Sequence, residues 1–225
     1  MILVKNLKKT FVKDGNNIEV LKGMQLSVRK GESLALLGVS GAGKSTLIHI
    51  LGALDHPTSG EVLYDNVNIF TWSADQLAAF RNRKIGFVFQ LHNLLPEFSA
   101  LENTMMPALI HGISRREAKQ RAEALLESVG LGHRVSHKSG ELSGGEQQRV
   151  AVARALIMEP DVILADEPTG NLDTETGKKI EDILLELNIN RKITLIVVTH
   201  NKNLADRLQR KVGLRDGRIY DISKT

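Results

Sequence analysis

The chain has 225 residues, 42% of them hydrophobic and 25% charged, with no cysteine and a formal net charge of +4. That balance belongs to a folded domain able to bury a real core and excludes disordered, collagenous and fibrous chains. Without cysteine there is no disulfide framework, thiolate nucleophile or thiolate-bound zinc. The slight basic excess suits a phosphate ligand or an anionic membrane surface and is too weak to argue for nucleic acid.

Met1 to Lys5 lacks the apolar run of a signal peptide and reads as the start of a strand, and no window approaches the roughly 18 apolar residues of a membrane span. Period-two alternation over Ile2 to Phe11 and then Gln25 to Val28 predicts strands, the first of them the one begun at the N-terminus, and Ser33 to Leu37 reads as a buried strand. Immediately after it stands Gly38-Val39-Ser40-Gly41-Ala42-Gly43-Lys44-Ser45, the pattern G-x-x-x-x-G-K-[ST], followed by the apolar stretch Leu47 to Leu54. Strand, loop and helix in that order are the context in which glycines let backbone amides wrap a phosphate at a helix N-terminus. Gly38, Ser40, Gly41, Ala42, Gly43 and Thr46 are therefore candidate nucleotide contacts. Lys44 is placed to reach β- and γ-phosphates, and the Ser45 hydroxyl to ligate Mg²⁺.

Ile85 to Phe89 is a further short apolar strand, followed by Gln90. From about residue 93 to 158 the strand signal gives way to helical signals, which predicts a helical lobe inserted between core segments 1–92 and 159–225 of a single domain. Ser99/Glu102 and Ser114/Glu117 have capping-box spacing. The second opens a helix with Ala118, Ala122, Leu125, Leu126 and Val129 on one face and Gly130 as its stop. The loop Leu94-Leu95-Pro96-Glu97-Phe98 is unusually apolar, either packing the lobe on the core or lining a groove for a partner helix. In Leu142-Ser143-Gly144-Gly145-Glu146, two glycines in a first helical turn lower helix propensity by about 1 kcal/mol each relative to alanine. That cost is intelligible if bare amides approach an anion.

Val162 to Ala165 is an apolar strand ending in Asp166-Glu167, where α/β sheets place ligands. Asp166 is a candidate metal carboxylate and Glu167 a candidate general base. A helix over Asp173 to Asn188 and a strand over Ile193 to Thr199, with His200 after it, complete the pattern. Short apolar strands interleaved with helices predict an α/β fold whose mainly parallel sheet is covered on both faces.

Taken together, these residues resemble the ATP-binding subunits of ABC transporters. Leu142 to Arg149 is similar to their signature motif, and the resemblance covers essentially the whole chain in the expected order. It implies a P-loop NTPase core of RecA-like type with an N-terminal antiparallel β portion and an inserted helical lobe. It also implies a Mg²⁺-dependent ATPase in which Lys44, Gln90, Glu167 and His200 are catalytic and Ser45, Gln90 and Asp166 are metal contacts. Phe11 falls near the aromatic that stacks on adenine, and Asn171-Leu172-Asp173 matches the D-loop. Ser143, Gly144 and Gly145 of a second copy would close over the nucleotide. The implied partners are that second copy and integral membrane subunits, with no nucleic acid and no direct contact with cargo, on the cytoplasmic face of a bacterial inner membrane.

Ala165 to Asp173 resembles the subgroup of lipoprotein-releasing, macrolide-export and cell-division ATPases, and His92 to Asn103 with Met106-Pro107 looks most like the lipoprotein-releasing branch. Leu91 and Asn93 depart from the aromatic and histidine expected there. Chromosome-maintenance relatives carry a very long coiled coil between the phosphate loop and the signature, for which Lys44 and Ser143 are too close in sequence.

Overall fold

A computed structural model of the chain describes residues 1–222. Strands β1 (Ile2–Lys13) and β2 (Asn16–Val28) form an antiparallel hairpin through Asp14-Gly15, both with positive φ, as a tight two-residue turn requires. β4 (Ser59–Tyr64) pairs with the other edge of β1 and β5 (Val67–Asn68) with β4, giving a four-stranded antiparallel sheet.

The second sheet has the order β10-β9-β3-β8-β7-β6. β3 (Ser33–Leu37), β6 (Ile85–Phe89), β7 (Val162–Asp166), β8 (Thr194–Val198) and β9 (Arg210–Arg215) run parallel, and β10 (Arg218–Asp221) folds back on β9. β3, β7 and β8 are buried along nearly their whole length, as a sheet covered on both faces demands.

Helix α1 (Lys44–Leu51) fills the space between the two sheets, where Leu47, Ile48 and Leu51 meet Val4, Leu7, Leu164 and Ile196. The opposite face is covered by α5 (Gly144–Leu156), α6 (Thr174–Arg191) and α7 (Lys202–Asp206), with Val152, Leu156, Ile180, Leu184 and Ala205 packed on Ile163 and Leu195. α2 (Ala74–Lys84) leads into β6. α3 (Ala100–Ile110), α4 (Arg115–Ser128) and part of α5 enclose their own clusters around Leu126, Leu142 and Val150 and around Met105, Ala118 and Ile157. α5 thus has one face in the lobe and one on the sheet.

Several elements differ from the sequence reading. α1 stops at Leu51, capped by Gly52, rather than running to Leu54. β2 begins at Asn16, far ahead of Gln25, because its outer half is exposed and carries no alternation to read. Ser99/Glu102 and Ser143/Glu146 form full capping boxes. At Ser114 only half of one forms: its hydroxyl accepts from Glu117 N, while the Glu117 carboxylate turns to Arg121 at 2.5 Å. Leu95 and Phe98 are 41% and 36% exposed, so neither is core, while Leu94 packs into the lobe.

Candidate nucleotide site

β3, β8, β7 and β6 lie side by side and end on the same edge, so the residues just beyond their C-terminal ends converge. A cavity of about 520 Å³ there is lined by Val20, Gly38, Val39, Ser40, Gly41, Gly43, Lys44, Ser45, Thr46, Gln90, Asp166, Glu167 and His200.

The loop after β3 owes its shape to glycine at defined places. Gly43, the N-cap of α1, has φ 99°, and a Cβ there would sit 2.9 Å from Leu21 Cδ2. At Gly38 a Cβ would meet the Leu214 carbonyl oxygen at 2.4 Å. Because Gly43 offers no side-chain cap, the N–H groups of Lys44, Ser45 and Thr46 have no acceptor within the helix. Uncapped donors, the positive end of the helix dipole and Lys44 together favour an anion. The Lys44 ammonium donates to the carbonyls of Gly38 (2.9 Å) and Val39 (3.0 Å). Phosphate oxygens, being charged, would make stronger acceptors than these neutral carbonyls.

Facing the loop, Asp166 ends β7 and Glu167 follows with φ 46°, a left-handed conformation held by its N–H donating to Val198 O at 2.9 Å. Glu167 Oε1 lies 2.9 Å from His200 Nδ1, so the two side chains act as one hydrogen-bonded unit, with the imidazole largely exposed and the carboxylate largely buried. Gln90 Nε2 donates to Asn171 Oδ1 at 3.0 Å, and Asn171 Nδ2 donates back to Gln90 O at 3.3 Å. This fixes the amide so that its oxygen is uncommitted. Ser45 Oγ, Asp166 and Gln90 Oε1 form an all-oxygen donor set, the chemistry Mg²⁺ takes alongside phosphate and water. Among the described residues no cluster of three or more histidine, aspartate or glutamate side chains could hold a metal by protein ligands alone.

Ala42, Phe11, Ser143, Gly144, Gly145 and Asp173 do not line this cavity. Ala42 is a buried residue of the loop itself. Phe11 is 42% exposed on the hairpin, with the Lys9 ammonium 4.8 Å from its ring centroid, so it is no core residue. Asp173 caps α6, accepting from the backbone of Glu175 and Thr176. Hydrogen bonds from Thr176, side chain before backbone, hold its carboxyl below the usual range.

Ser143 caps α5, its Oγ accepting from Glu146 N and its O–H remaining available to donate. The Ser143 N–H in turn donates to the Glu146 carboxylate and holds that group below its ordinary pKa. The two signature glycines separate here. Gly145 is buried, and a Cβ would lie 2.2 Å from Thr176 Cγ2, so its glycine has a packing reason within the chain. Gly144 is exposed, and a Cβ would meet only Leu172 Cδ2 at 3.6 Å. The bare backbone at 144 thus has no reason within one chain. A single copy therefore offers a phosphate loop in one place and an exposed serine-capped helix end in another.

A family model described as "ABC transporter" matches residues 21–170. The chain belongs to the ABC transporter family. Curated relatives of this cassette include the "Lipoprotein-releasing system ATP-binding protein LolD" of Syntrophus aciditrophicus, 71% identical over 97% of this chain and 98% of that protein. The protein of the same description from Geobacter metallireducens is 52% identical over 97% of each. Among solved structures, the dimeric post-hydrolysis ATP-binding cassette MJ0796 bound to ADP and Pi superposes with a TM-score of 0.92 at 41% identity, covering all of both chains. As a member of this family the chain is a nucleotide-binding ATPase cassette.

One residue of the site carries no sequence signal, and another lies in the signature stretch without its partners being readable there. Val20, an ordinary strand valine, walls the cavity beside Gly43. Gln148, fully buried in α5, donates to Phe89 O and Pro168 O, backbone groups that any residues would supply.

A second cavity of about 460 Å³ lies between α2, β6, α3 and the end of α5, lined by Leu54, Ala78, Phe87, Phe89, Ile110 and Met158 among others. Leu95 and Phe98 do not line it. The groove is assembled from segments far apart in sequence.

Proposed function

We propose that this chain is the ATP-hydrolysing subunit of a lipoprotein-releasing membrane complex. It acts as a pair of copies on the cytoplasmic face of the inner membrane, beneath LolC- and LolE-like integral subunits, and does not touch the cargo itself. Full-length identity of 71% to a LolD protein carries this reading. The described residues contain no helix long and apolar enough to cross a membrane.

In this reading the amides at the start of α1 and the Lys44 ammonium bind the β- and γ-phosphates, and the exposed ring of Phe11 stacks on the base. Ser45, Asp166 and Gln90 would hold Mg²⁺, which when bound would supply positive charge to neutralise the phosphates. Glu167 takes the proton of the attacking water at its carboxylate, while His200 fixes that carboxylate and reaches toward the γ-phosphate. Ser143 and the bare backbone at Gly144 and Gly145 of one copy close over the phosphates held by Lys44 of the other. Asp173 contributes by holding the turn before α6.

The apolar groove at α2, α3 and α5 receives a short helix of the membrane subunit, apolar anchors in such grooves dominating affinity. Ile110, 72% exposed at its rim, provides the test. Tagged chain purified from native membranes should bring lipoprotein-releasing subunits with it, and Ile110→Asp should lose them while keeping its fold and basal ATPase. Recovery of a cell-division membrane regulator instead would replace the lipoprotein reading.

A further inference from the structure

Just past Gln90 the backbone does something unusual: His92 and Asn93, neither of them glycine, are consecutive left-handed residues with φ 57° and 48°. Such a pair does not persist without support from its surroundings. The support is Arg154, whose Nη2 donates to His92 O at 2.7 Å and whose Nη1 donates to Asn93 O at 2.6 Å. Arg154 sits in the last turn of α5, forms no ion pair among the described residues, and is withdrawn from solvent enough that burial lowers its pKa. Both of its hydrogen bonds therefore go to this one bend. Earlier in the same helix, Gln148 grips Phe89 O, the residue before Gln90. α5 thus holds the chain on both sides of Gln90, and its first residue follows the cap Ser143.

We propose that Arg154 is a positioning residue: its guanidinium, forked across the His92 and Asn93 carbonyls, sets where α5 and hence Ser143 stand relative to Gln90. The inference rests on the paired-copy reading above. A contact made by Gln90 at one nucleotide is then felt, through one unbroken helix, where Ser143 meets the nucleotide of the second copy. If the bend moved without the helix, the guanidinium would lose both acceptors at once. An ammonium, with a single donor centre, spans two adjacent carbonyls less well than a planar fork.

The test uses the full chain carrying Glu167→Gln with ATP and Mg²⁺, reading the dimer dissociation constant by sedimentation and ATP affinity by titration of dilute protein. Arg154→Met keeps the length and apolar stem but removes the donors. ATP affinity should stay within about twofold, since Arg154 does not line the phosphate cavity, while dimerisation weakens by about tenfold or more and Arg154→Lys falls between. Dimerisation of Arg154→Met within about twofold of its parent overturns the proposal. So does a fall of ATP affinity and melting temperature in step with dimerisation, which marks a merely structural arginine. If the Glu167→Gln parent itself stays monomeric with ATP, the paired-copy reading fails and takes this proposal with it.

Discussion

Gly145→Ala isolates the packing role of one signature glycine. The new methyl would lie 2.2 Å from Thr176 Cγ2, far inside van der Waals contact, at the buried junction of α5 and α6. Overpacking of this kind costs about 1–3 kcal/mol. Replacing glycine by alanine in a helix recovers about 1 kcal/mol of that, leaving a net loss between zero and about 2 kcal/mol. Thr176→Ser deletes the offending methyl and keeps the hydroxyl. The next contacts of the alanine would be Thr176 Cβ at 3.5 Å and Oγ1 at 3.7 Å, both ordinary. Urea unfolding should thus show Gly145→Ala less stable than the parent and Gly145→Ala/Thr176→Ser restored to the parental midpoint or above it. Gly144→Ala, with only Leu172 Cδ2 at 3.6 Å, should be as stable as the parent or up to about 1 kcal/mol more stable, yet weaken ATP-driven pairing. A double variant no more stable than Gly145→Ala alone would refute the packing argument.

Two other outcomes follow from the geometry. Glu167→Gln should retain ATP binding and lose about 10²- to 10⁴-fold in kcat, measured by phosphate release; turnover at the parental rate would remove Glu167 as the base. Asn103 is fully buried and bonds only to loop backbone, accepting from Leu95 N and donating to the carbonyls of Leu95, Phe98 and Ser99. Asn103→Ala strands those groups and should cost at least about 1–3 kcal/mol by urea denaturation, with no cost at all contradicting its role as the strut of the 95–99 loop.

The phosphate loop is legible in sequence because its chemistry is packed into eight consecutive residues after a strand. Gln90 and His200 are single polar residues beyond strand ends, and only the order of motifs along the chain singles them out; the structure shows the local reason, since β6 and β8 end beside β3 and β7. α2 gives no apolar periodicity because Leu77 is its one buried residue, although the Ser73/Gln76 capping box stands in the sequence. The β9–β10 hairpin is announced only by Asp216-Gly217, both at positive φ. The contacts of Arg154 and Gln148 are illegible for a different reason, although Gln148 itself lies in the signature stretch. Their partners are backbone carbonyls, and no pattern of side chains records those.

Composite sites shared between two copies are the centre of this account, and mixing two inactive chains tests them directly. Lys44→Ala removes the phosphate contact and keeps the signature; Ser143→Arg blocks the signature and keeps the phosphate loop. Each alone should show no ATPase. In an equimolar mixture, half of the pairs are mixed and each holds one intact site of two, so activity should return toward about a quarter of the parental rate. A mixture as inactive as its components would mean that each chain must complete its own site, and the paired-copy account would be wrong.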